Sequence, residues 1–162
     1  MTKAVDIANY FLNKDPERKY FNKKLTEKNG RLFYDGNARL NKYLHISQNL
    51  YIAKTGEPLF ADVLFAYDNG AVVANVQENY AILLTKHEKP VLPNEVMEFL
   101  DKVFILLEDA TLDELIEISH EDEAWEEKHS FHYKEQQKMN SMAYADQYRV
   151  KYHDALRLME EL

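Results

Sequence analysis

The chain of 162 residues contains no cysteine. That absence excludes a disulfide framework, a thiol nucleophile, thiolate zinc sites and iron–sulfur clusters, and it suits a reducing cytoplasm. Glycine and proline are scarce, four of each, where average usage would put the two together near roughly 12% of residues. Turns should therefore be few and the elements between them long. Gly30, Gly36, Gly56 and Gly70 stand apart from one another, so neither a phosphate-cradling glycine loop nor a G-x-S-x-G nucleophile elbow can be written. The longest apolar run of note, Val103-Phe104-Ile105-Leu106-Leu107, falls far short of the roughly 18 residues of a membrane helix. The opening Met1-Thr2-Lys3-Ala4-Val5-Asp6 carries an acid where a secretory leader needs unbroken apolar residues. The expectation is a soluble, cytoplasmic protein, one domain over residues 1–162, long enough to bury its own core.

What is present is charge, unevenly spread. Residues 1–44 hold ten Lys and Arg against five Asp and Glu, whereas residues 45–162 hold ten against twenty-three. The extreme is the stretch from Glu108 to Glu127, with ten acids and no Lys or Arg. A nucleic-acid binder needs a basic track that releases counterions from phosphate. Only Arg18, Lys19, Lys23, Lys24, Lys28 and Arg31 offer one, and Glu17 and Glu27 interrupt it, so nucleic acid is a poor candidate partner. The acidic stretch reads either as a solvated helix face or as a docking surface for a basic protein.

The hydrophobic pattern predicts a mostly α fold of about six or seven helices with a small β element. Thr2 can cap a first helix carrying Val5, Ala8, Phe11 and Leu12, and Asp15-Pro16 ends it. Asn29-Gly30 between Leu25-Thr26-Glu27-Lys28 and Arg31-Leu32-Phe33-Tyr34 predicts a hairpin near residues 24–35. A broad apolar arc from about Asn37 to Lys54, closed by Gly56 and Pro58, predicts a central helix. Residues 62–67 read as a short extended segment, followed by the turn residues Asp68-Asn69-Gly70 and a helix over about 74–85. Asn94 is placed as the cap of a strongly amphipathic helix, and Thr111-x-x-Glu114 has capping-box spacing. A final helix is predicted from about Asn140 to the end, with Ala145, Tyr148, Tyr152, Ala155, Met159 and Leu162 as its seam.

One cluster has metal-ligand chemistry. Glu126, His129 and His132 repeat at steps of three, with His120 nearby, and imidazole with carboxylate suits a divalent ion. A metal-dependent hydrolase using these four residues is therefore the alternative to a non-enzymatic module without cofactor or metal. A di-metal bundle would need a second Glu-x-x-His, which the sequence lacks.

Three blocks resemble a known family. Val5 to Leu12 is similar to an opening helix written L-D-V-A-N-Y-F-L. Leu40, Lys42, Leu44, Gln48, Gly56, Pro58, Leu59 and Phe60 follow the pattern K-L-Q-K-L-L-Y-F-A-Q and A-x-x-G-x-P-L-F, continuing through Gly70. Leu112 to Trp125, with His120 and Trp125, resembles L-S-x-L-T-H-E-x-x-x-W. Together, over residues 5–128, they resemble the Panacea domain, the SocA- or GepA-like group of phage-associated antitoxins, with residues 129–162 as a helical extension. The resemblance implies a helical protein-binding domain whose partner is a toxin encoded nearby, in some members handed on to a protease. Within that reading Glu121, Glu123, Glu126 and Glu127 are candidate steering charges. Tyr148 and Tyr152 are candidate anchors if the terminal seam is exposed. Ala71 and Ala124 stand where the family generally has proline, and Tyr67 where it has tryptophan; these replacements are expected to loosen the turn after Gly70.

Overall fold

The computed structural model describes residues 2–130 and 136–162. Its first helix, α1 (Ala4–Asn13), buries Ala4, Ile7, Ala8, Phe11 and Leu12 on the face set by their spacing. Thr2 is not its cap: Lys3 holds that position without a side-chain bond, and Asp62 accepts the Ala4 N–H at 2.9 Å instead. Asp15 closes the helix as expected, and it does more. Its buried carboxylate accepts the backbone N–H groups of Lys19, Tyr20 and Phe21 at 2.8, 3.0 and 2.8 Å. Arg18 turns inward onto the carbonyls of Leu12 and Asp15, which removes one cation from the basic track.

The predicted hairpin is present as β1 (Leu25–Lys28) and β2 (Arg31–Tyr34), paired Leu25 to Tyr34 and Lys28 to Arg31. Asn29 and Gly30 both take positive φ, 52° and 73°, the backbone a type I′ turn demands. Helix α2 (Asp35–Thr55) then runs through the middle of the molecule. Leu40, Tyr43, Leu44 and Leu50 are fully buried. The Phe11, Phe21 and Phe104 rings meet the Tyr43 ring edge-on at 5.4, 5.3 and 6.0 Å, a favoured aromatic geometry.

The segment after α2 is a second hairpin, β3 (Leu64–Tyr67) and β4 (Gly70–Val73). A two-residue strand, β5 (Gln137–Lys138), adds to the free edge of β3. The helix predicted over 74–85 is two, α3 (Ala74–Glu78) and α4 (Tyr80–Lys86), parted at Asn79, whose side-chain amide donates to Asn75 O. Helix α5 (Asn94–Leu107) begins at Asn94 rather than being capped by it, with Pro93 at the flanking position. Its Val96, Phe99, Leu100, Val103 and Leu107 are buried as expected. Helix α6 (Leu112–His120) carries both halves of the Thr111–Glu114 capping box. Helix α7 (Glu123–Lys128) follows after a sharp turn.

The terminal helix is likewise divided. A 3₁₀ turn (Ser141–Tyr144) leads into α8 (Ala145–Lys151), and Tyr152 separates it from α9 (His153–Glu160). Nine α-helices among the described residues replace the expected six or seven because these breaks subdivide them. The seam packs inward except at Leu162, which is exposed: Tyr148 lies against Ile52 and Ala53 of α2, and Met159 is in the main core. None of the described helices is long and apolar enough to cross a membrane.

Candidate functional site

Helix α2 is buried on nearly every side, so its polar residues cannot all face water. Asn41, Lys42, His45, Gln48 and Asn49 are all buried, and a buried polar group is costly unless bonded. Asn41 Oδ1 accepts the Val73 N–H at 2.9 Å. Lys42 Nζ donates to Ala71 O at 2.8 Å. Gln48 accepts the Leu59 N–H at 2.7 Å and donates to Phe60 O at 2.9 Å. The family-pattern residues Gln48, Leu59 and Phe60 thus form one staple, tying the loop after Gly56 and Pro58 back onto α2.

His45 is the centre of this seam. Its Nε2 lies 2.5 Å from Asp122 Oδ2 and its Nδ1 2.7 Å from Ser119 Oγ. Asp122 also accepts from Tyr148 OH at 2.5 Å, Asn49 Nδ2 at 2.9 Å and the Ala124 N–H at 3.0 Å. Burial would raise the Asp122 carboxyl, but the bonds from His45, Tyr148 and Asn49 outweigh it and hold the group down at about 2. An ionised carboxylate only accepts, so Nε2 donates to it. Ser119 Oγ accepts the Ala71 N–H at 2.9 Å and meets His45 Nδ1 on its other side. The Ser–His–Asp composition is that of a hydrolase relay, yet Ser119 has no exposed surface and its hydroxyl is engaged on both sides. The arrangement fastens the second hairpin and α7 to α2.

Ala71 and Ala124 correct the expectation of a looser turn. Proline has no N–H. Alanine at these two positions supplies the N–H groups that bond Ser119 and Asp122, the two partners of His45. Gly70 completes the turn with φ at 110°, and a Cβ there would sit 2.5 Å from Lys42 Cε and 2.6 Å from Ser119 Oγ.

His120 and Trp125, five residues apart, meet because the turn at Glu121 and Asp122 folds α7 back. Their rings stack at 4.2 Å, and His129 stacks on the other indole face at the same distance. Trp125 Nε1 donates to Tyr67 O at 2.8 Å. His120 Nε2 lies 2.9 Å from Asp68 O, and His129 Nε2 2.9 Å from Asp68 Oδ1. Burial pushes the His120 imidazole down, against the Asp68 carbonyl, which favours its charged form. Of the four residues in the metal-hydrolase alternative, His120 and His129 flank the indole, Glu126 is exposed, and His132 lies outside the described residues. Among the described residues no group of three His, Asp or Glu is placed to hold a metal ion.

The two hairpin tips latch together. Asn29 Nδ2 donates to Asn69 Oδ1 at 2.8 Å and Asn69 Nδ2 to Lys28 O at 3.2 Å. Lys28 pairs with Asp113 at 2.5 Å. Beneath the latch is a cavity of about 260 Å³, lined by both hairpins, Gln77, Gln136, and Asn37, Asn41 and Lys42 of α2.

The family model of the antitoxin SocA-like Panacea domain matches residues 40–126, more than half of the chain. The chain belongs to this family. No curated protein and no solved structure matches it. The Panacea segment takes in α2 from Leu40, the second hairpin and the helices as far as α7, and so holds His45, Ser119 and Asp122 entire. Tyr148 and Tyr152 reach the seam from outside it. They are not a surface pair: Tyr148 is fully buried, Tyr152 is half-buried with its hydroxyl 3.4 Å from Asn49 Nδ2, and burial raises the hydroxyls of both. The candidate steering charges differ among themselves. Glu121, Glu126 and Glu127 are exposed, whereas Glu123 is half-buried and paired with Lys151 at 2.8 Å. Asp122, counted with the acidic stretch, is interior. The sequence reading did not find the His45 network, though Asn41, His45 and Asn49 recur every fourth residue on a helix otherwise read as core, which was its signal.

Proposed function

We propose that this Panacea-domain chain is a non-enzymatic antitoxin: a single-domain cytoplasmic module that neutralises a cognate toxin, encoded nearby, by binding it. The family match over residues 40–126 carries this reading. Two physical features support it. The reactive-looking side chains His45, Ser119 and Asp122 are consumed in holding the fold together. The surface of α6 and α7 offers a field of acids, with Asp113, Glu117, Glu121, Glu126 and Glu127 exposed. Such a field speeds encounter with a basic partner and weakens with salt, since the screening length is roughly 10 Å at 0.1 M.

The test is co-expression with the adjacent open reading frame. The expected result is rescue of growth and recovery of the two proteins in one complex; growth arrest that persists despite soluble expression refutes the reading. Charge reversal at Glu121, Glu126 and Glu127 should slow association much more than it speeds release. The proposal extends to the fate of the toxin. If the protein presents its partner to a protease, a pulse–chase will find the toxin's lifetime shortened in its presence, and an unchanged or longer lifetime assigns simple sequestration.

A further inference from the structure

The cavity under the latched hairpins has a wall residue whose charge the fold does not balance. Lys42 is 1% exposed, and among the described residues its ammonium has one acceptor, Ala71 O. The acid across the cavity, Asp68, is committed elsewhere, 2.9 Å from His129 Nε2 and 3.5 Å from Arg31. His45, one turn along α2, is spent on Ser119 and Asp122, and His120 on Asp68 O. The cavity wall also carries Gln77, whose Oε1 is buried without a hydrogen-bond partner among the described residues.

We propose that this cavity is a subsite of the partner interface that receives a carboxylate, the side chain of an aspartate or glutamate on the partner polypeptide, which pairs with Lys42. The inference rests on the protein-binding reading above. Four observations favour it. A buried ammonium without a counter-ion is unfavourable, and an entering carboxylate supplies the missing charge with a charge-assisted hydrogen bond. Arg31, largely exposed and paired with Asp68 only at 3.5 Å, also lines the cavity and sets a second cation within reach of an entering carboxylate. The volume admits a side chain: about 260 Å³ is many times the roughly 30 Å³ share of one water. Leu25 and Leu32 beside it, 59% and 67% exposed, give a polypeptide the apolar contact that a free anion would not use.

The amine is its own reporter. Burial holds Lys42 down at about 7, so NMR of the Lys42 side chain in the intact protein can be titrated with N-acetyl-glutamate N-methylamide, and with the glutamine analogue as a neutral control of the same shape. The expected result is a rise of the Lys42 midpoint by about one unit with the glutamate probe, the shift given by a tenfold preference for the charged amine, and none with glutamine. A midpoint that glutamate leaves in place, or that glutamine moves as far, overturns the proposal. In the complex, Lys42→Met should weaken binding of the adjacent gene product by about tenfold or more, and a variant that binds as tightly as wild type overturns it too. Wild-type protein that binds no such product refutes the antitoxin reading instead, and the glutamate titration then decides the subsite by itself.

Discussion

Replacing Lys42 by methionine should stabilise the protein, and the gain should depend on pH. In the unfolded chain the amine titrates at its ordinary value of 10.5; in the folded protein burial lowers it to about 7. Between these values the unfolded state binds a proton that the native state does not, so stability rises with pH across that window. Below about pH 7 both states are protonated and the group adds no slope. With these two midpoints, the wild-type protein should gain roughly 2 kcal/mol between about pH 7 and pH 9, and at pH 7 it still carries roughly 4 kcal/mol of desolvation cost. Methionine, unbranched and of similar length, removes that cost but leaves the buried Ala71 carbonyl without its donor, which costs about 1–3 kcal/mol. The net gain at pH 7 is therefore roughly 1–3 kcal/mol. Urea unfolding of both proteins at several pH values measures it directly. A variant less stable than wild type throughout, or two proteins with the same slope between pH 7 and 9, would show that the buried Lys42 amine carries no such cost.

Three further outcomes follow from the seam around His45. Asp122 has its ordinary carboxyl value of 3.8 lowered to about 2 by its bonds in the folded state. It contributes roughly 2 kcal/mol that is complete above about pH 4 and is lost as pH falls through 2; acid unfolding of wild type against Asp122→Asn reads this, and equal acid sensitivity contradicts it. Ala71→Pro removes the N–H that bonds buried Ser119 and should cost about 1–3 kcal/mol in chemical denaturation; no loss would mean that the Ser119 bond contributes nothing. Deleting residues 141–162 takes Tyr148 and Met159 out of the core and should abolish the cooperative unfolding transition, whereas a truncated protein that melts like wild type would show the terminal helices to be dispensable.

Much of the scaffold was legible because it depends on short-range chemistry. Asn29-Gly30 dictates a type I′ hairpin whatever surrounds it, and the Thr111–Glu114 capping box and the α5 stripe are equally local. The breaks at Asn79 and Tyr152 were not legible: at Asn79 a side-chain bond to Asn75 O closes one short helix on the exposed surface, and Tyr152 parts the terminal helix where its ring packs against the core. Strand β5 is two residues long and has no pattern of its own. The seam was missed for a physical reason: a polar residue on a helix is ordinarily solvated, and only burial of α2 on all sides turns Asn41, Lys42, His45 and Asn49 inward. His120 and Trp125, five apart, could not be paired from spacing, because the turn at Glu121 and Asp122 joins them.

Whether the protein acts by holding its partner or by chemistry is decided by a stoichiometric neutralisation assay. The purified product of the adjacent gene is titrated with this protein in the absence of any protease, and its residual toxic activity is followed to its endpoint. Binding predicts a linear fall to zero at a fixed molar ratio, with no further loss on longer incubation. Progressive loss of activity at a small fraction of that ratio would mean turnover, and would contradict it.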